Sequence, residues 1–181
     1  MKKNKTFKLT SAAIMLAVII IMQLLKNISA YISGPVINAV MAIAALELGI
    51  TWGIGFSVIV PIMSLIVAPA SPMSALSAAT HYVTIPVIII GNIIFVAAAK
   101  LGSKKGNLIF IVSLIIGAVL KWLFMWGCGE LILIPVFSES LGKLSTVITK
   151  VFSTLQLYSG LLGIILIIPA DKAIKKVILK K

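Results

Sequence analysis

The sequence predicts an all-α integral membrane protein, a six-transmembrane-helix bundle with both termini cytoplasmic. Three observations predict it. The chain has 181 residues, 61% hydrophobic and only 11% charged, where soluble domains average about 45–50% and about 25%. Its apolar residues gather into six runs near the length of about 20 that crosses a bilayer. Its basic residues, all of them lysine, bracket those runs. Twelve of the sixteen fall in three places: Lys2, Lys3, Lys5 and Lys8; Lys100, Lys104 and Lys105; and Lys172, Lys175, Lys176, Lys180 and Lys181. Cytoplasmic loops collect Lys and Arg, so the three clusters are expected on one side of the membrane. The stretches between them then cross an even number of times.

The first span, about 9–25, is too long for a typical signal-peptide core, and no small-residue cleavage site follows it. The second, about 35–48, begins at Gly34-Pro35, where Pro suits a first helical turn. A tight turn around Gly49 leads to the third, about 51–68. Pro69, Ser71 and Pro72 punctuate an uncharged outer loop before the fourth, about 81–99. The glycines and lysines of 100–106 mark a cytoplasmic turn before the fifth, about 107–127. The longest outer segment, about 128–146, carries Glu130, Glu139 and Lys143. The sixth span, about 147–169, closes at Pro169 ahead of the basic tail. Only Lys26 and Lys143 then fall in outer loops. No repeat and no linker divides the chain, so residues 1–181 are read as a single membrane domain.

The net charge of +12 does not point to nucleic acid, because such binders carry their cations on one face of a soluble fold. The basic tail suits anionic lipid, at about 1 kcal/mol per lysine near the surface. Cys128 is the single cysteine, which excludes a disulfide or zinc framework within one chain. Lysine without arginine, beside abundant Ile, suggests an AT-rich bacterial genome.

Polar side chains at membrane depth are costly and therefore informative. Lys121 lies roughly 9 Å below the outer end of the fifth span at 1.5 Å per residue. A lysine there costs about 2.5–3.5 kcal/mol on insertion scales and should face the bundle interior or a wet cavity. The alternatives are snorkelling to the outer headgroups or neutralisation by Glu130. Asn92 lies about 15 Å in from the outer start of the fourth span, and Gln156 about 13 Å in from that of the sixth. If these spans are neighbours, Asn92, Lys121 and Gln156 converge on one outer-half cavity. Taken singly, Asn92 and Gln156 are as well explained by hydrogen bonds between helices.

Trp122 and Trp126 share one side of their helix at i and i+4. Trp126 suits interfacial anchoring, and Trp122 either meets lipid or forms a stacking wall for a flat ligand. His81 and Tyr82 open the fourth span at the outer surface, where a capping or solvated role competes with ligand contact. Asn38, one turn into the second span, closes the cavity roof or caps locally. Glu130 sits in a flexible outer turn, placed to meet a ligand or Lys121. No paired carboxylates, His-x-x-x-His, phosphate loop or Ser/His/Asp set occurs. The reading is therefore of a non-enzyme, with no catalytic residues, metal site or cofactor.

Ala13 and Ala17, one turn apart in the first span, make a small flat patch that another helix can approach closely. Gly49 and Gly53 make a second. With these residues in place, the chain resembles the substrate-binding S components of energy-coupling factor (ECF) transporters, which are bacterial vitamin importers. The likeness covers nearly the whole chain: its length, six short spans, basic start running into Ala13-x-x-x-Ala17, and the Gly34-Pro35 re-entry. The resemblance implies that Ala13 and Ala17 dock on a transmembrane coupling subunit working with two ABC-type ATPases. It also implies an outer-half ligand site built from outer loops and helices four to six. No set matching the thiamine, riboflavin or biotin members is evident, and no Walker motif is present.

The function expected is thus capture of a vitamin or related small organic micronutrient at the bacterial plasma membrane. On physical grounds Lys121 would meet an anionic or carbonyl group, favouring a carboxylate-bearing compound. A stand-alone small transporter or channel without ATPases is the alternative.

Overall fold

The computed structural model describes residues 5–26 and 28–179, apart from the side chains of 175 and 177–179. Lys2, Lys3, Lys180 and Lys181 and the Lys175 side chain therefore lie outside the described residues. Among those described there is no strand, and six helices are long and apolar enough to cross a membrane.

The long helices are α1 (Lys5–Leu25), α2 (Ala30–Glu47), α3 (Ile50–Val67), α5 (Thr84–Gly102), α6 (Asn107–Cys128) and α10 (Leu155–Leu179). A short α4 (Pro72–Ala79) crosses between α3 and α5. Its start follows from local chemistry: Pro72 occupies the first turn and the Ser71 hydroxyl accepts from the Ser74 N–H at 3.4 Å, as a helix N-terminus favours. Gly49 at φ 118° and Gly106 at φ 97° turn the chain sharply into α3 and α6, a conformation glycine adopts without Cβ strain.

The differences from the expected spans are largest at three places. Helix α2 begins at Ala30, with Pro35 inside it. A proline this near a helix start forfeits a single backbone bond, so the apolar stretch before it still coils. Pro169 likewise sits inside α10, which runs on to Leu179; neighbouring helices make such interior prolines tolerable. The expected outer loop at about 128–146 is largely helical. A π-helical turn (Gly129–Leu133), α7 (Ile134–Val136), α8 (Ser138–Leu141), a 3-10 turn (Gly142–Leu144), α9 (Ser145–Thr149) and a second π-helical turn (Lys150–Thr154) link α6 to α10. Apolar residues drive this: Leu133, Leu141, Ile148 and Phe152 are fully or nearly fully buried in a cluster with Leu76 and Met125.

Helix α2 is the hub, packed against α1, α3, α5 and α10. Half of its apolar stretch is buried, against 17% for α1, which makes α1 the peripheral helix. Close approach depends on small residues. A Cβ on Gly53 would lie 2.5 Å from Ala45 Cβ and 2.6 Å from Val96 Cγ1, and one on Gly117 would lie 2.5 Å from Ala98 Cβ. These contacts bring α2, α3, α5 and α6 together near the end that carries the 48–49 and 103–106 turns. At that end the Lys100 ammonium also donates to the Leu46 carbonyl at 3.0 Å, satisfying one of the acceptors a helix C-terminus leaves open.

Candidate functional site

The opposite half of the bundle, toward the 26–29, 68–83 and 129–154 connections, does not close. It holds a cavity of about 100 Å³, counted as room for the centre of a water-sized sphere. One water needs about 10–15 Å³ by that measure, so the space admits a small organic molecule. Its wall draws on α1, α2, α3, α5, α6 and α10, with Pro72 and Met73 of α4 at one side.

At the deep end stands Lys121, only 2% exposed. Its Nζ donates to Asn38 Oδ1 and to Asn92 Oδ1, each at 2.8 Å. The Asn38 amide is held from behind, its Nδ2 donating to Ser159 Oγ at 3.1 Å, and that hydroxyl donates to the Gln156 carbonyl at 3.2 Å. The relay fixes the orientation of Asn38, because an amide that donates to Ser159 presents its oxygen to Lys121. Phe95 lies beneath, its ring centroid 5.9 Å from the ammonium, within range of a cation–π attraction.

Glycines make room for this network. Gly91 sits beside the lysine stem, where a Cβ would lie 3.5 Å from Lys121 Cγ and 2.9 Å from Met125 Cγ. Gly163 faces Asn38 Cβ and Gly34 faces Ser159 Cβ, at 3.3 and 3.0 Å from where their own Cβ atoms would stand. Helices α2 and α10 therefore approach closely enough for the Asn38–Ser159 bond.

A second cation reaches the cavity from its outer end. Lys26, just past α1, is half-buried, and its Nζ donates to Ser64 Oγ on α3 at 3.0 Å. One turn earlier, Gln23 Nε2 donates to the Val60 carbonyl at 3.0 Å, while its buried Oε1 has no partner among the described residues. Burial of the Lys26 ammonium pushes its pKa down from the usual lysine value to about 8. None of the four acidic residues, Glu47, Glu130, Glu139 and Asp171, lines the cavity.

The structure thus brings Asn38, Asn92, Lys121 and Gln156 to one wall. Asn38 is a direct partner of Lys121 and not a roof above it. The Gln156 amide donates to the Val151 carbonyl at 3.1 Å. The other expected residues lie elsewhere. Trp122 stacks on Trp126 at 6.3 Å between ring centroids and donates to Ser153 Oγ at 3.4 Å. Glu130 accepts from Thr149 Oγ1 at 2.7 Å and so does not neutralise Lys121. His81 and Tyr82 are exposed in a left-handed turn at φ 47° and 64°, His81 against the Phe137 ring at 5.9 Å.

Gln23, Lys26 and Ser64 escaped the sequence reading, which drew the site from helices four to six, the outer loops and Asn38 of the second span. The available signal was the i, i+3 spacing of Gln23 and Lys26, two polar side chains on one face of an otherwise apolar helix end. Among the described residues no cluster of His, Cys, Asp and Glu is arranged to hold a metal. The chain matches no protein-family model, no curated protein and no solved structure.

Proposed function

We propose that this protein is the substrate-capture subunit of an energy-coupling-factor-type importer in a bacterial plasma membrane, taking a vitamin or related micronutrient into the cavity between its helices. The observation that carries the reading is the hydrogen-bonded Lys121–Asn38–Asn92 group on the cavity wall. Polar groups at that depth are costly, and a packed apolar interface would serve the fold as well.

Sidedness follows from charge. The cavity lies in the half remote from Lys100, Lys104 and Lys105, so the positive-inside rule opens it outward. With six crossings, both termini are cytoplasmic. Ala13 and Ala17 are exposed on α1, whose buried residues are Ala12, Ile19 and Gln23. That leaves a small-residue face free to meet a helix of a transmembrane coupling subunit, which would work with two ABC-type ATPases.

The test is affinity isolation from native membranes, with mass spectrometry of both the proteins and the small molecules recovered. Co-purified ATPases and a retained compound are the expected result. A homo-oligomer without ATPases would favour a stand-alone transporter or channel, and no retained compound would remove the capture role.

A further inference from the structure

We propose that the cavity selects a dianion, a small dicarboxylate or a phosphate monoester, clamped between the ammonium groups of Lys26 and Lys121. The inference rests on the cavity being a ligand site and adds the charge class of what it takes.

The wall carries two lysines and no carboxylate. Two ammoniums with no counter-ion in a partly desolvated space are unfavourable, because removing a charge from water penalises it unless an opposite charge stands nearby. They also repel one another across the cavity. A carboxylate from the chain would be the ordinary remedy, yet the one nearest in sequence to Lys121, Glu130, is turned to Thr149. Two negative charges from outside bring the cavity to neutrality.

Donor geometry agrees. Each ammonium has three N–H donors. Lys121 uses two, on the asparagines, and Lys26 uses one, on Ser64. Three of the six therefore find no acceptor among the described residues, and the two groups enter the same space from its deep and outer ends. Asn92 Nδ2, on the same wall, also makes no hydrogen bond among the described residues. The cavity is thus rich in unfilled donors, which is the pattern that recognises carboxylate or phosphate oxygens. A neutral or cationic ligand would leave both charges uncompensated.

The deciding experiment uses the full chain, purified in a neutral detergent, and an isosteric series of stepwise charge: succinate, succinamate and succinamide, at constant ionic strength. Thermal unfolding is read for each, and compounds retained through purification are identified by mass spectrometry. Stabilisation falling in that order, with a retained dianion, is the expected result. Lys26→Gln and Lys121→Gln each weaken binding by about 30-fold or more, while Lys26→Arg retains most of it. Equal stabilisation by succinamide and succinate, or a retained neutral or cationic compound, overturns the dianion inference and leaves the capture role standing. No stabilisation and no retained compound overturns both. A phospholipid headgroup also offers phosphate oxygens, as a singly charged diester in phosphatidylglycerol and as a monoester in phosphatidic acid. Stabilisation by added phosphatidic acid alone would place lipid in the clamp, which keeps the dianion preference and removes the capture role; equal stabilisation by phosphatidylglycerol overturns the dianion inference as well.

Discussion

The two halves of this bundle solve opposite problems. Near the 48–49 and 103–106 turns, helices meet through glycine and alanine, backbone nearly against backbone, as around Gly53, Ala45 and Val96. Near the other end, Lys121, Asn38, Asn92 and Lys26 line a cavity between them. Dispersion contacts supply stability in the first half. In the second, the proposed ligand would be bound by the polar groups of Lys121, Lys26 and Asn92 on the cavity wall. Stability and ligand affinity should therefore respond to different substitutions.

The largest effect is expected from Gly53→Leu. Even a methyl group there would sit 2.5 Å from Ala45 Cβ, so α2, α3 and α5 must separate. Overpacking typically costs about 1–3 kcal/mol and occasionally more, and here the neighbours are on two other helices, α2 and α5. The variant should show a markedly lowered Tm and poor recovery from membranes. An unchanged Tm would show that the tight half is not what holds the bundle together.

Lys121→Met is expected to do the reverse. Ligand affinity falls by about 2 kcal/mol or more, roughly 30-fold. Stability changes by about 1 kcal/mol in either direction, since removing a desolvated charge offsets the acceptors left on Asn38 and Asn92. A binding measurement paired with thermal unfolding checks it. Affinity equal to that of the unsubstituted protein would remove Lys121 from the site.

Acidity offers a third separation. Lys26 is faced across the cavity by Lys121 from α6 and by the Ser64 hydroxyl from α3, with no carboxylate on the wall. Its pKa is lowered to about 8 in the folded chain from 10.5. Above about pH 8 an anion must recruit a proton to Lys26, so affinity falls by up to about tenfold per pH unit. Between about pH 8 and 10.5 the unfolded chain holds more protons at Lys26 than the folded one, so the empty protein gains stability as pH rises. The two curves run in opposite directions, and Lys26→Gln should lessen the slope of both. Parallel curves would mean that Lys26 does not meet the ligand.

Much of this architecture is legible in the sequence because hydrophobic length is a strong signal. The six spans, the turns at Gly49 and Gly106, and the depth of Lys121, Asn92 and Gln156 follow from runs of Ile, Leu and Val and from a fixed rise per residue. Lateral arrangement is less legible. Nothing in the chain announces that α2 is central or that it begins at Ala30, so Asn38 reads as a roof or capping residue one turn into its helix and not as a partner of Lys121. Ser64 and Ser159 are small hydroxyl residues that membrane helices often bond back to their own backbone, which hides those that reach across. The segment at 128–146 misleads because its charges suggest a loop, whereas Leu133, Leu141 and Ile148 bury it as helix.

The smallest effects are expected where aromatic and acidic residues suggested a site and the structure puts them outside the cavity. Trp126 is 43% exposed on the outer face of α6, and Glu130 is occupied by Thr149. Neither borders the space that Lys121 and Lys26 enter. Trp126→Leu and Glu130→Gln should each change ligand affinity by less than about twofold, since residues away from a contact seldom alter binding by more than about 0.5 kcal/mol. Trp126→Leu removes an interfacial anchor and is read in membrane yield; Glu130→Gln leaves an acceptor for Thr149 and should be silent in both assays. A tenfold loss of affinity in Glu130→Gln would move the ligand toward the π-helical turn at Gly129–Leu133. The division between a packing half and a binding half would then have to be redrawn around the α6–α10 connection.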